Sequence, residues 1–215
     1  KWALAGGVIL LIIFGFFMYN RFKITQKQKN IIEEKQKEIS ESINYAKRIQ
    51  YALLAHDELL KTNLPDHFVL FKPKDIVSGD FYWATQKEDK FYLAVCDSTG
   101  HGVPGAFMSL LNISFLNEAI NEKNMEEPNR ILEHVRKRLI KNISQEGAQD
   151  GMDGILICFD RKNNSISYAA AHNKPILMKG TELIELPADK MPIGKGEKNE
   201  PFRLHTISAQ KGDML

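Results

Sequence analysis

Cysteine is scarce: Cys96 and Cys158 are the only two in 215 residues, and neither lies in a Cys-x-x-Cys pair. A disulfide framework is excluded, and reduced thiols facing a cytosolic compartment are expected. Charge of one sign is also lacking. With 29 Lys+Arg against 27 Asp+Glu the net charge is +2, so no basic footprint for nucleic acid is present. No internal repeat or low-complexity tract occurs, and the length allows one domain with attachments or at most two small ones.

Two local absences are more informative. From Trp2 to Tyr19 there is no charged residue. Those residues, at about 1.5 Å each, reach roughly the thickness of a bilayer core. Trp2 and Tyr19 close the two ends, as interfacial rings do, and the next stretch carries Arg21, Lys23, Lys27 and Lys29 without an acid. A signal peptide or a buried core helix fits less well, because no cleavage site follows and the segment is apolar on every face. The expectation is a transmembrane helix over residues 1–20 with everything after it cytoplasmic, in a bacterial inner membrane. Opening on Lys1 rather than Met, the chain is expected to have sequence upstream.

The second absence is of glycine between Gln26 and Lys61 and of proline before Pro65. Ile32, Ile39, Ala46 and Leu53 recur every seven residues, with Ile43 on a partial second stripe and Gln36 and Gln50 where apolar residues would be wanted. This predicts a helical linker over residues 21–63, a parallel coiled coil with a weak seam that makes a homodimer. A single amphipathic helix lying on its own domain is the plainer alternative. Residues 64–215 then form the globular domain.

Within that domain short apolar runs predict strands at 68–71, 80–85, 91–96, 155–159, 166–171, 175–178, 183–186 and 202–207, and helices at 103–122 and 128–143. Hairpins around a helix pair point to an α+β fold. The densest chemistry is Ser78-Gly79-Asp80-Phe81-Tyr82-Trp83 followed by Cys96-Asp97-Ser98-Thr99-Gly100-His101-Gly102-Val103-Pro104-Gly105. The glycines spell Gly-x-Gly-x-x-Gly, but no strand presents an acid twenty residues on and no Gly-Lys-Ser/Thr follows, so neither a dinucleotide nor a P-loop reading holds. Asp80 and Asp97 instead end two adjacent strands. Such carboxylates repel unless protonated or bridged, and hard oxygens in an open loop suit Mg²⁺ or Mn²⁺. Taken alone, acids so placed are more often turn or cap residues.

Together with Phe71-Lys72-Pro73-Lys74-Asp75-Ile76-Val77, Asp150-Gly151-Met152-Asp153 and Met191-Pro192-Ile193-Gly194, these motifs make the span from about Ser42 onward resemble the stage II sporulation protein E-like branch of the PPM (type 2C) protein phosphatases. The resemblance implies a β-sandwich flanked by helices and hydrolysis of phosphoserine or phosphothreonine on a phosphoprotein, such as a regulator in anti-sigma-factor partner switching. It implies two divalent cations, Mn²⁺ or Mg²⁺, with Asp80 as bridging ligand, Asp97 as the second acid and the Ser98 backbone carbonyl beside them. No side chain is the nucleophile; that role falls to a water between the cations. Family members add two further acids, one in an Asp-Gly turn and one near the C-terminus, which are expected beyond Leu215, so the 215 residues alone are expected to be inactive. Asp153, Gly100, His101 and Gly102 are candidates for the vicinity of substrate or metal, although Asp153 and His101 equally suit turn roles. His172–Asn173 ends a strand near the same edge, with a plain turn role as the alternative. The competing function is a non-enzymatic membrane scaffold that binds a partner through a phosphatase-like domain.

Overall fold

The computed structural model describes residues 2–143 and 150–215 and resolves two compact units, Lys1–Tyr45 and Ala46–Leu215. Helix α1 runs Trp2–Leu53. Beyond Gly15 nothing in it breaks a helix, and the exposed pairs Lys29–Glu33, Lys35–Glu38 and Lys37–Glu41 support it at three- and four-residue spacing. Its large apolar residues from Ile9 to Tyr19 are all exposed.

The second unit begins well before residue 64, because the end of α1 and the short helix α2 (Asp57–Asn63) bury side chains in it. Leu54 joins the main core, while Ala55 and Leu60 pack with Ala84 and Phe91. Gln50, which reads as a flaw in the heptad seam, is buried inside the domain. The strand expected at 68–71 does not form. Phe68 and Leu70 are more than four-fifths exposed, and Phe71 packs edge-to-face on Tyr51 and Tyr82 instead of pairing with a strand.

Strands β1 (Asp80–Lys87) and β2 (Lys90–Ser98) form a hairpin. Helix α3 (Gly102–Asn117) continues through a π-helical turn at Glu118–Glu122, and α4 (Pro128–Asn142) starts on a proline whose missing N–H costs nothing in a first turn. Then come β3 (Gly151–Asp160), β4 (Ser165–Ala171), β5 (Ile176–Lys179), β6 (Glu182–Glu185), β7 (Ile193–Gly194) and β8 (His205–Ile207). The main sheet is antiparallel in the order β1-β2-β3-β4-β8, with β7 also on β3, and β5–β6 pair separately.

Alternation along the strands sorts side chains to two faces. Phe81, Trp83, Ala94, Leu156 and Ala169 meet Leu116, Ile120, Leu132 and Leu139 of the helices in the main core. Ile157, Tyr168 and Ala170 point the other way and pack with Leu177 of the β5–β6 hairpin and with Ile207. Each fully buried Leu or Ile stabilises the domain by about 1.5–3 kcal/mol. The stretch Gly102–Glu122 is long and apolar enough to cross a membrane by composition, but more than half of it is buried, which makes it a core helix. Cys96 and Cys158 are unpaired and buried.

Candidate metal centre

Register sets the candidate acids side by side. Asp80 lies opposite Asp97 in the β1–β2 pair, and Asp97 lies opposite Asp153 in the β2–β3 pair. Directly opposed residues of an antiparallel pair share a face with Cβ atoms about 4.5–5.5 Å apart, so three carboxylates line one end of the sheet. Desolvation by the surrounding loops, a hydrogen bond shared with Asp97 and the charge of Asp97 all push the Asp80 carboxyl above the ordinary carboxylate range. A carboxyl in that setting holds a proton or a cation.

Backbone close to backbone builds the rest. A Cβ on Gly79 would lie 2.8 Å from the Ser98 carbonyl oxygen and 2.5 Å from that of Gly100. The loop leading into Asp80 thus rests on the turn that follows Asp97, and the Ser98 carbonyl sits beside it. Ser98 itself is buried, and its hydroxyl accepts from Asn112 Nδ2 of α3 at 3.0 Å. Gly100 (φ +93°) and Gly102 (φ +61°) turn the chain in left-handed conformations that L side chains rarely adopt.

Asp153 and His172 meet through a 2.9 Å contact between Oδ1 and Nδ1. His172 stands at φ +56°, its N–H donating to the Asp189 carbonyl at 2.8 Å, so it turns the chain at the end of β4 as well as meeting Asp153. His101 instead contacts Asp75 at 3.1 Å and is exposed, tying the 71–77 motif to the start of α3. The sequence gives no notice of two supporting residues. Thr99 bonds both backbone groups of Gly151, donating to its carbonyl and accepting from its N–H, each at 3.1 Å. The other is Gln50, whose partner Ser78 lies 28 residues away in sequence.

The donor set, paired carboxylates and a backbone carbonyl, is of hard oxygens and suits a hard divalent cation. Among the described residues no group of three or more His, Cys, Asp or Glu side chains is placed to hold a metal ion, so the Asp80–Asp97 pair does not by itself make a complete site.

A helix pair on a mostly antiparallel sheet, with acids at adjacent strand ends beside a glycine turn, is the architecture of PP2C-type phosphatase domains. The chain belongs to the stage II sporulation protein E (SpoIIE) family, whose model matches residues 87–215. It is similar to phosphoserine phosphatase RsbU of Bacillus subtilis, 21% identical over 183 residues, which are 84% of this chain and 52% of that one. The chain thus spans about half the length of that curated relative. Among solved structures, the SiaA-PP2C domain of Pseudomonas aeruginosa matches with a TM-score of 0.73 and 32% identity, covering 83% of this chain and 70% of that one. RsbX, solved in complex with magnesium, matches with a TM-score of 0.50 and 16% identity over 68% of each chain, a likeness of fold alone.

Proposed function

We propose that the protein is a membrane-anchored, metal-dependent phosphatase that removes phosphate from phosphoserine or phosphothreonine on a bacterial signalling regulator. The observation that carries this reading is the opposed pair Asp80–Asp97, whose mutual repulsion makes sense in a site built for divalent cations. RsbU, by its name a phosphoserine phosphatase, supports the same chemistry here. Asp80, Asp97 and the Ser98 carbonyl would hold Mn²⁺ or Mg²⁺. When bound, the cations supply Lewis acidity and charge neutralisation for attack of water on a phosphoryl group. Gly100 and Gly102 keep side chains out of the turn, leaving its backbone open to a phosphate. Asp153, opposite Asp97, contacts the His172 ring that follows β4, and that ring would border the site on the β3–β4 side. The test is hydrolysis of a phosphoserine peptide by the full-length protein with Mn²⁺ or Mg²⁺. Turnover that persists in chelator overturns the reading.

Anchoring rests on the exposed apolar run from Ile9 to Tyr19 and the basic flank that follows. A fluorescent reporter fused behind the phosphatase domain should be bright and sediment with membranes. An inactive reporter there, with an alkaline phosphatase fusion active at the same point, reverses the topology.

Dimerisation through α1 is the third element of the proposal. Ile32 and Ile39 are 63% and 59% exposed in a single chain, as unpaired seam residues would be. Gln50 is buried in its own domain, so the second stripe of the seam ends before it. Ile39→Cys should crosslink to its own copy far faster than Lys37→Cys. Equal rates would leave a monomeric helix.

A further inference from the structure

Among the described residues the buried polar side chains besides Arg136 are Gln50, Ser78, Ser98, Ser109 and Asn112, and hydrogen bonds join these five into two groups that support the two acid-bearing loops. Gln50, 1% exposed, grips Ser78 at both backbone groups: its Nε2 donates to the Ser78 carbonyl at 2.6 Å, and its Oε1 accepts from the Ser78 N–H at 3.1 Å. The same Nε2 donates to Ser109 Oγ of α3 at 2.8 Å. Ser78 passes the constraint on, because its hydroxyl accepts from the Asp80 N–H at 3.0 Å. A buried primary amide is costly unless every donor and acceptor is used, and a satisfied one fixes geometry more tightly than apolar packing does. An apolar residue would fill the same space without aiming Ser78.

We propose that Gln50 is a positioning residue for the metal centre: its amide holds Ser78–Gly79–Asp80 in the conformation that presents the Asp80 carboxylate opposite Asp97. The proposal rests on the metal-dependent reading above and adds to it a determinant outside the acid loops, on the last turns of α1. Ser109 makes the grip three-sided, so the amide cannot follow a displaced loop. Losing it leaves Asp97 in place on β2 and frees the loop on which Asp80 enters β1.

The experiment compares Gln50→Met, near in volume but without the amide, with the full-length wild type. Arg136→Met is the control, because Arg136 is as buried but contacts Met191, the Glu200 carbonyl and the Phe202 ring. Mn²⁺ affinity by calorimetry, Tm without metal, and the Mn²⁺ half-saturation and kcat on a phosphoserine peptide are read for each. Gln50→Met should weaken Mn²⁺ binding and raise the half-saturation about tenfold, with kcat at saturating Mn²⁺ within about threefold of wild type. Arg136→Met should lower Tm and leave Mn²⁺ affinity unchanged. Should Gln50→Met fail to fold, Gln50→Asn, which withdraws the amide by one methylene, is expected to show the same split. Unchanged Mn²⁺ affinity in a folded Gln50 variant overturns the proposal, as does loss of folding in both variants, which would make the amide a requirement of the fold. A wild type that binds Mn²⁺ but turns nothing over sinks the phosphatase reading while calorimetry still decides on Gln50. A wild type that binds no Mn²⁺ overturns both.

Discussion

Asp80→Asn and Asp97→Asn in the full-length protein should each lower Mn²⁺-dependent turnover of a phosphoserine peptide by about a hundredfold or more, the scale on which lost electrostatic stabilisation of a transition state is felt. Asn keeps the size of the side chain and one oxygen but removes the charge. Folding should survive, since both residues are exposed at the sheet end and neither fills the core. Stability without metal should rise, because a like-charge pair is relieved. The sign of its pH dependence follows from Asp80, whose carboxyl is pushed up in the folded state. The folded protein binds that proton more tightly than the unfolded chain, so the wild type loses this contribution as pH rises from below the ordinary carboxyl value through the raised one. The Tm advantage of Asp80→Asn should therefore be small near about pH 3.5 and grow towards neutrality. Full turnover in both variants would place the site elsewhere.

Gly105→Ala should damage the fold itself. A Cβ there would stand 2.4 Å from the Gly100 oxygen, 2.8 Å from the Gly100 carbonyl carbon and 3.1 Å from the Gly79 Cα. All three are backbone atoms, so no side chain can swing aside. Either α3 lifts off the turn or the two acid loops part, and a destabilisation of about 3 kcal/mol or more in urea is expected. Gly180→Ala is the comparison: its φ is +60° but nothing lies within 4 Å, so the cost should stay at about 1–2 kcal/mol. Similar losses at the two positions would show that close packing around Gly79, Gly100 and Gly105 is dispensable.

The strands that carry the acids were legible because β1 and β2 are short aromatic and apolar runs bounded by polar residues, the second running into a glycine turn, and antiparallel pairing then brings their ends together. The 68–71 run has the same composition, yet Phe68 and Leu70 remain exposed and no neighbour among the described residues pairs with it. Aromatic and branched residues mark a surface fit for half-burial, and they do not name the surface that covers them. Strand β7 is two residues long and carries no period to detect. Gln50 was the more instructive miss. A heptad reading scores a glutamine by its hydrophobicity, whereas its place depends on a backbone groove that forms only when Ser78 and Ser109 arrive from distant segments.

The buried cysteines have a practical consequence for chemistry done on this protein. Burial pushes the Cys96 thiol up to about 12 and raises that of Cys158 as well. At neutral pH a thiol with a pKa near 12 is ionised to only about one part in 10⁵, and thiolate is the form that attacks maleimides and disulfides. Both native thiols should stay silent toward such reagents while the domain is folded. A cysteine placed on exposed α1 can then carry a dye or crosslinker without first deleting Cys96 or Cys158, and the appearance of native-thiol labelling would itself time the opening of the core.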